Sequence, residues 1–148
     1  MDKYHYTECG LDNVFINGLE PMTDADGDEV VQIPAINLLH AKIAEGIISH
    51  HGSMNGKELR FLRTEMGLTQ AQLASLVHCD KQTVGRWERQ ETPVDGSAET
   101  VIRMLAAEKL LENFVRSVED LAKSSIETAE NQMININAKD DGSYDLAA

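Results

Sequence analysis

A chain of 148 residues, 42% hydrophobic and 26% charged, has the length of one domain or two small ones and enough apolar material for a core. No apolar run reaches the roughly 18 residues of a membrane span, and Met1-Asp2-Lys3-Tyr4-His5 lacks the basic start and apolar stretch of a signal peptide, so a cytoplasmic protein is expected. Two cysteines, Cys9 and Cys79, cannot build a disulfide framework, and neither lies in a C-x-x-C pair, which argues against a structural zinc module; no metal or cofactor is expected. The net charge of -12 opposes binding to a polyanion, but it is unevenly spread. Residues 57–91 hold six basic side chains (Lys57, Arg60, Arg63, Lys81, Arg86, Arg89) against five acidic ones, while the preceding and following segments carry -7 and -6. Only the middle segment would not repel DNA.

In chain order, Val14-Phe15-Ile16 before Asn17-Gly18, and Glu29 to Ile33 after Asp26-Gly27, predict a small hairpin or sheet. Pro34 is suited to open a helix, and Ile36, Leu39, Ile43 and Ile47 make one apolar face over residues 34–50. His51-Gly52-Ser53-Met54-Asn55-Gly56 breaks the pattern and marks a module boundary, giving an N-terminal module over residues 1–52.

Next, Leu59, Leu62 and Met66 lie on a helix that stops at Gly67. Thr69 caps a second helix, with Gln72 completing a capping box. Leu73, Ala74, Leu76 and Val77 form its apolar side. After the turn His78-Cys79-Asp80, Asp80 caps a third helix with Val84 and Trp87 facing inward. Two short helices joined by a tight turn, with small Ala74 where they cross, predict a helix-turn-helix. Gln82 and Arg86, four apart, lie opposite Val84 and Trp87. A glutamine can pair bidentately with adenine and an arginine with guanine, each worth about 1–3 kcal/mol of discrimination. Gly85 between them has no side chain to hold the helix away from a groove.

Leu68 to Ala74 followed by Asp80 to Glu88 resembles the Cro and phage-repressor class of helix-turn-helix, the XRE type. The resemblance implies a λ-repressor-like domain over residues 53–123, of bacterial or phage origin. It places Gln70 on a phosphate or outer base, puts Lys81, Gln82, Thr83 and Arg86 in the major groove, and adds Arg89 to the DNA-binding set. His78 departs from the family's usual glycine in a left-handed turn, at a cost on the order of 1 kcal/mol. The overall plan also resembles the MqsA-type antitoxins, with Tyr6-Thr7-Glu8-Cys9-Gly10 standing where that family has C-x-x-C-G. With Tyr6 in place of the first cysteine, zinc is not expected.

Asp24, Asp26 and Asp28 alternate as in a calcium loop, but Glu29 and Ala35 occupy positions that need glycine and a bidentate glutamate, so a solvated hairpin tip is expected. His40, His50 and His51 have no ligand spacing; His50 and His51 would meet a helix C-terminal dipole. No phosphate loop, nucleophile elbow or acid–base pair is found, so the chain is not expected to be an enzyme.

After Pro93 to Ser97, a long helix is predicted. Met104, Ala107, Leu111, Phe114, Val118 and Leu121 follow a heptad spacing. Its first part closes the helix-turn-helix core near Val101 to Leu105. From Leu111 through Phe114, Val118 and Leu121 it offers a dimer seam. Residues 124–148 form an acidic, partly disordered tail, with disorder expected from Lys139 on, and its final Leu146-Ala147-Ala148 resembles a bacterial proteolysis tag. The expected fold is mainly α with a small N-terminal β element. The expected function is a dimeric repressor reading a palindromic double-stranded operator, either as the antitoxin of a toxin–antitoxin pair or as a stand-alone prophage or mobile-element repressor.

Overall fold

The computed structural model describes residues 3–112, 117–126 and 132–147. Strand β1 (Tyr4–His5) runs antiparallel to β2 (Val14–Asn17), in which Val14 and Ile16 point into the core while Phe15 and Asn17 alternate to the other face. A separate hairpin pairs β3 (Pro21–Thr23) with β4 (Glu29–Val31). At its tip the Asp24 carboxylate accepts the amides of Asp26 and Asp28, at 3.0 and 2.9 Å, so the alternating aspartates serve a turn.

Helix α1 (Ile36–Ser49) packs Leu39, Ile43, Ile47 and Ile48 inward. Pro34 lies ahead of it rather than opening it: Ala35 takes a left-handed conformation (φ 52°) at the N-cap, and the Pro34 carbonyl accepts the Tyr144 hydroxyl. Ile36, expected on the apolar face, is exposed, and the buried face of the helix begins at Leu39. Then follow α2 (Gly56–Glu65), α3 (Gln70–Leu76), α4 (Lys81–Glu88), α5 (Gly96–Leu110) and α6 (Val118–Ser124).

The fold is mainly α with a small β element, but that element is drawn from both ends of the chain. The expectation of a disordered acidic tail is overturned: β5 (Ile134–Ala138) pairs in parallel with β2, and β6 (Tyr144–Leu146) adds antiparallel to β5, giving the order β1-β2-β5-β6. Ile134 and Ile136 alternate with Asn135 and Asn137, so one face of β5 joins the core even though the surrounding composition is polar. Tyr144 is buried, and the Ala147 amide donates to the Asn135 carbonyl at 2.8 Å. Gly46 permits the fit of α1 on this sheet: a Cβ there would stand 3.0 Å from the Ile134 side chain.

The continuous heptad helix is also overturned. Helix α5 ends at Leu110, Leu111 is extended, and Ser117 opens α6 with its own capping box to Asp120. Leu121 is fully buried in the core, Leu111 is half-buried against it, and Val118 is exposed, so the three share no seam. Phe114 lies outside the described residues.

The segment expected to be a boundary, 51–56, is gripped by buried polar groups. Arg103 on α5, with no exposed surface, donates to the carbonyls of Ile48 (3.1 Å), His50 (2.8 Å) and Gly52 and to the Glu99 carboxylate (2.9 Å). Glu99 in turn accepts from the Ser53 hydroxyl (2.7 Å) and the Met54 amide (2.9 Å). Glu58, the capping-box residue of α2, also accepts from the Asn13 amide at 3.1 Å, and Asn13 donates to the Gln132 carbonyl at 2.6 Å. His50 faces Glu58 at 3.3 Å instead of closing the end of α1 with its ring.

Tyr6, His40 and Glu65 form a third link. A carboxylate only accepts, so His40 Nδ1–H donates to Glu65, and Nε2 then accepts from the Tyr6 hydroxyl at 2.9 Å. Burial, followed by the nearby Cys9, Glu8 and Glu65, pushes the Tyr6 hydroxyl up to about 12.

Removing one partner of the Arg103–Glu99 pair strands a buried charge. Arg103→Met is therefore expected to destabilise the fold by about 3–5 kcal/mol in urea titrations. Tyr6 generates a pH prediction of definite sign. Its contribution to stability is intact below the ordinary tyrosine value of 10 and is lost as pH rises from there toward about 12. Tyr6→Phe should flatten that part of the stability profile while leaving the tyrosinate absorbance of the other tyrosines in place.

Candidate nucleic-acid interface

Helices α2, α3 and α4 form a compact unit whose starts and stops are locally encoded. Asn55 and Thr69 each make a full capping box, with Glu58 and Gln72, and the Asp80 carboxylate caps α4 by accepting the Thr83 amide at 2.8 Å. All three helices end in the same way. The residue after the C-cap turns left-handed, at Gly67 (φ 73°), His78 (φ 58°) and Gln90 (φ 62°), and paired amide bonds close the last turn. At α3 these are His78 N–H to the Ser75 carbonyl (3.4 Å) and Cys79 N–H to the Ala74 carbonyl (3.0 Å). Glycine at Gly67 announced its turn. Gln90 carries no such signal, and each non-glycine there costs on the order of 1 kcal/mol.

The angle between the helices is set from inside. Leu59, Leu62, Leu73, Ala74, Val84 and Trp87 are buried together and Val77 packs against them, whereas Leu76, expected on the apolar side of α3, is exposed. Glu88 at the end of α4 receives Arg63 Nε at 2.6 Å and Nη2 at 3.0 Å, and Arg63 Nη1 donates to the Leu68 carbonyl at 2.9 Å. A bidentate arginine–carboxylate pair fixes orientation as well as distance. Gly56 makes a comparable fit: a Cβ would stand 2.4 Å from the Trp87 carbonyl oxygen and 2.5 Å from that of Glu88. Neither the Arg63–Glu88 pair nor the Gly56 contact has a local sequence signal, because each joins α2 to α4.

Among the expected DNA-binding residues, Lys81, Gln82 and Arg86 share the exposed face of α4, and their side chains have no hydrogen-bond partner within the described chain. The others are engaged. The Thr83 hydroxyl donates to Asp80 at 2.7 Å, which leaves it capping the helix that presents its neighbours. Those Thr83 bonds, and then the Arg86 charge, hold the Asp80 carboxyl below the usual range. Gln70 Nε2 donates to Glu88 at 3.1 Å, and Arg89 donates to Glu91 at 2.5 Å. Gly85 is buried, and a Cβ there would meet Arg89 Nη1 at 2.9 Å, so its smallness makes room for the Arg89 side chain beside α4.

Cys9 and Cys79 are free thiols, both pushed up chiefly by burial. The described residues contain no cluster of three or more metal-ligating side chains, and none of their helices is long and apolar enough to cross a membrane.

A family model for a helix-turn-helix domain matches residues 56–110, the span from α2 to the end of α5. No curated protein and no solved structure matches the chain. Sequence family and geometry therefore meet on the same segment, and the chain carries a helix-turn-helix domain of the kind found in DNA-binding regulators.

Gly56→Ala tests the packing of this unit. At an ordinary helical position the change gains up to about 1 kcal/mol. Here the added methyl meets backbone oxygens of α4 and should instead cost about 1–3 kcal/mol, lowering the thermal midpoint and weakening DNA binding with no DNA-facing side chain altered.

Proposed function

We propose that the chain is a sequence-specific transcriptional repressor that inserts α4 into the major groove, with Lys81, Gln82 and Arg86 facing the groove and Gln82 and Arg86 reading base edges. The observation that carries this reading is the exposed, unpartnered face of Lys81, Gln82 and Arg86 on a helix braced by Asp80, Thr83 and the Arg63–Glu88 pair. Side chains without internal partners are free to exchange water for base edges. Gln70 and Arg89 sit beside this face and reach phosphate only by giving up Glu88 and Glu91.

One such unit reads few base pairs, and the small positive charge of residues 57–91 limits its phosphate contribution. A homodimer on a palindrome, with reading helices about 34 Å apart, doubles the contacts. With Leu121 in the core, the exposed Val101, Met104 and Val118 are the side chains that support a twofold contact.

The antitoxin role rests on a separate feature. The β3–β4 hairpin is an exposed arm with Glu20, Asp24, Asp26, Asp28 and Glu29 and no basic residue, and its cross-strand pair Met22–Val30 is exposed. An apolar pair rimmed by carboxylates suits a basic protein partner and disfavours DNA. A stand-alone repressor would use the same reading helix without that partner.

Arg86→Ala and Gln82→Ala should each weaken specific binding by about 1–3 kcal/mol and relax base preference at separate operator positions. Titrations against single-base operator variants check this, and unchanged selectivity in Arg86→Ala would remove Arg86 from the reading set. Co-purification of a small basic protein encoded beside this chain, lost on reversing the arm's charge, is the outcome that selects the antitoxin role.

A further inference from the structure

Between α1, the end of α2 and the end of α5 lies a pocket of 210 Å³, too small for the usual drug-sized ligand of about 300 Å³ or more. Ala41 and Ala44 keep one side open by their small size, and Leu110 adds an apolar wall. The remaining lining is polar: Asn37, His40, Glu65 and Lys109.

The charged groups of this pocket are opposite in sign but not paired with each other. Glu65 and Lys109 line the same small space but form no ion pair. Glu65 uses Oε1 for His40, which leaves Oε2 without a partner among the described residues; the Lys109 ammonium and the Asn37 amide likewise have none there. A purely anionic ligand would face Glu65, a purely cationic one would face Lys109, and a neutral one would leave both charges unmatched. A small zwitterion satisfies both ends at once. Its ammonium pairs with Glu65 and its carboxylate with Lys109 and the Asn37 amide, as charge-assisted hydrogen bonds. The alanine and leucine surface accepts a short side chain.

We propose that this pocket binds a free α-amino acid with a small side chain. Such a ligand would touch α1, the last residue of α2 and α5 together, so it bridges the sheet-bearing part of the chain and the helix-turn-helix domain.

The test is calorimetric titration of the full chain with glycine, alanine, serine, threonine and valine, followed by the N-acetyl and carboxamide derivatives of the tightest binder. At least one of these amino acids should bind, and blocking either end should weaken it about tenfold or more, the loss expected for one charged hydrogen bond. Lys109→Met should do the same. Lys109 is exposed and makes no internal bond, so an unchanged thermal midpoint separates loss of the ligand from loss of the fold. Absence of binding by all five amino acids overturns the proposal, as does a binder whose affinity survives end-blocking or Lys109→Met. No step of the test involves DNA, so its outcome is independent of the repressor reading.

Discussion

A charged side chain with no exposed surface holds this fold together. The Arg103 guanidinium lies at the C-terminal end of α1, where helix carbonyls have no intrahelical partner and the dipole is negative. It supplies the missing donors from a different helix. Its carboxylate partner Glu99 is itself saturated by Ser53 and Met54, on the far side of the junction. Burying two charges is costly, and the pair is tolerable because hydrogen bonds from backbone and side chains surround both. The turn between α1 and α2 is thereby fixed, and the residues before and after it share one hydrophobic core.

Helix α2 is held at both ends by the N-terminal part of the chain. At its start, Glu58 closes the capping box and meets Asn13, which also binds the residue leading toward β5. At its end, Glu65 accepts a hydrogen bond from His40 Nδ1–H in a line that begins at Tyr6. Helix α2 then hands its orientation to α4 through Arg63 and Glu88. Polar contacts at both ends of α2 therefore tie it to the N-terminal part of the chain, and the Arg63–Glu88 pair ties it in turn to α4.

Charge divides the surface in the same sense as the architecture. The balanced segment 57–91 coincides with α2, α3 and α4, while the acidic residues gather on the β3–β4 arm and toward the C-terminal third. Such a molecule can approach a polyanion productively only by the helix-turn-helix side, because long-range repulsion disfavours the other orientations.

The sequence by itself determined the helix-turn-helix, because its signals are local: Thr69 and Asp80 cap helices within three residues, Gly67 ends one, and Val84 and Trp87 repeat at helical spacing. Tertiary structure decided the rest. Ile134–Ala138 and Tyr144–Leu146 are strands because β2 offers β5 an edge and β5 offers β6 one, and the polar alternate positions of β5 hide an apolar face that a composition reading misses. The heptad spacing beyond Leu111 was real as a pattern, but Ser117 restarts the helix and the core claims Leu121. Gly56, the Arg63–Glu88 clamp and the Arg103 node depend on residues distant in sequence, and no local rule can announce a contact whose partner lies elsewhere in the chain.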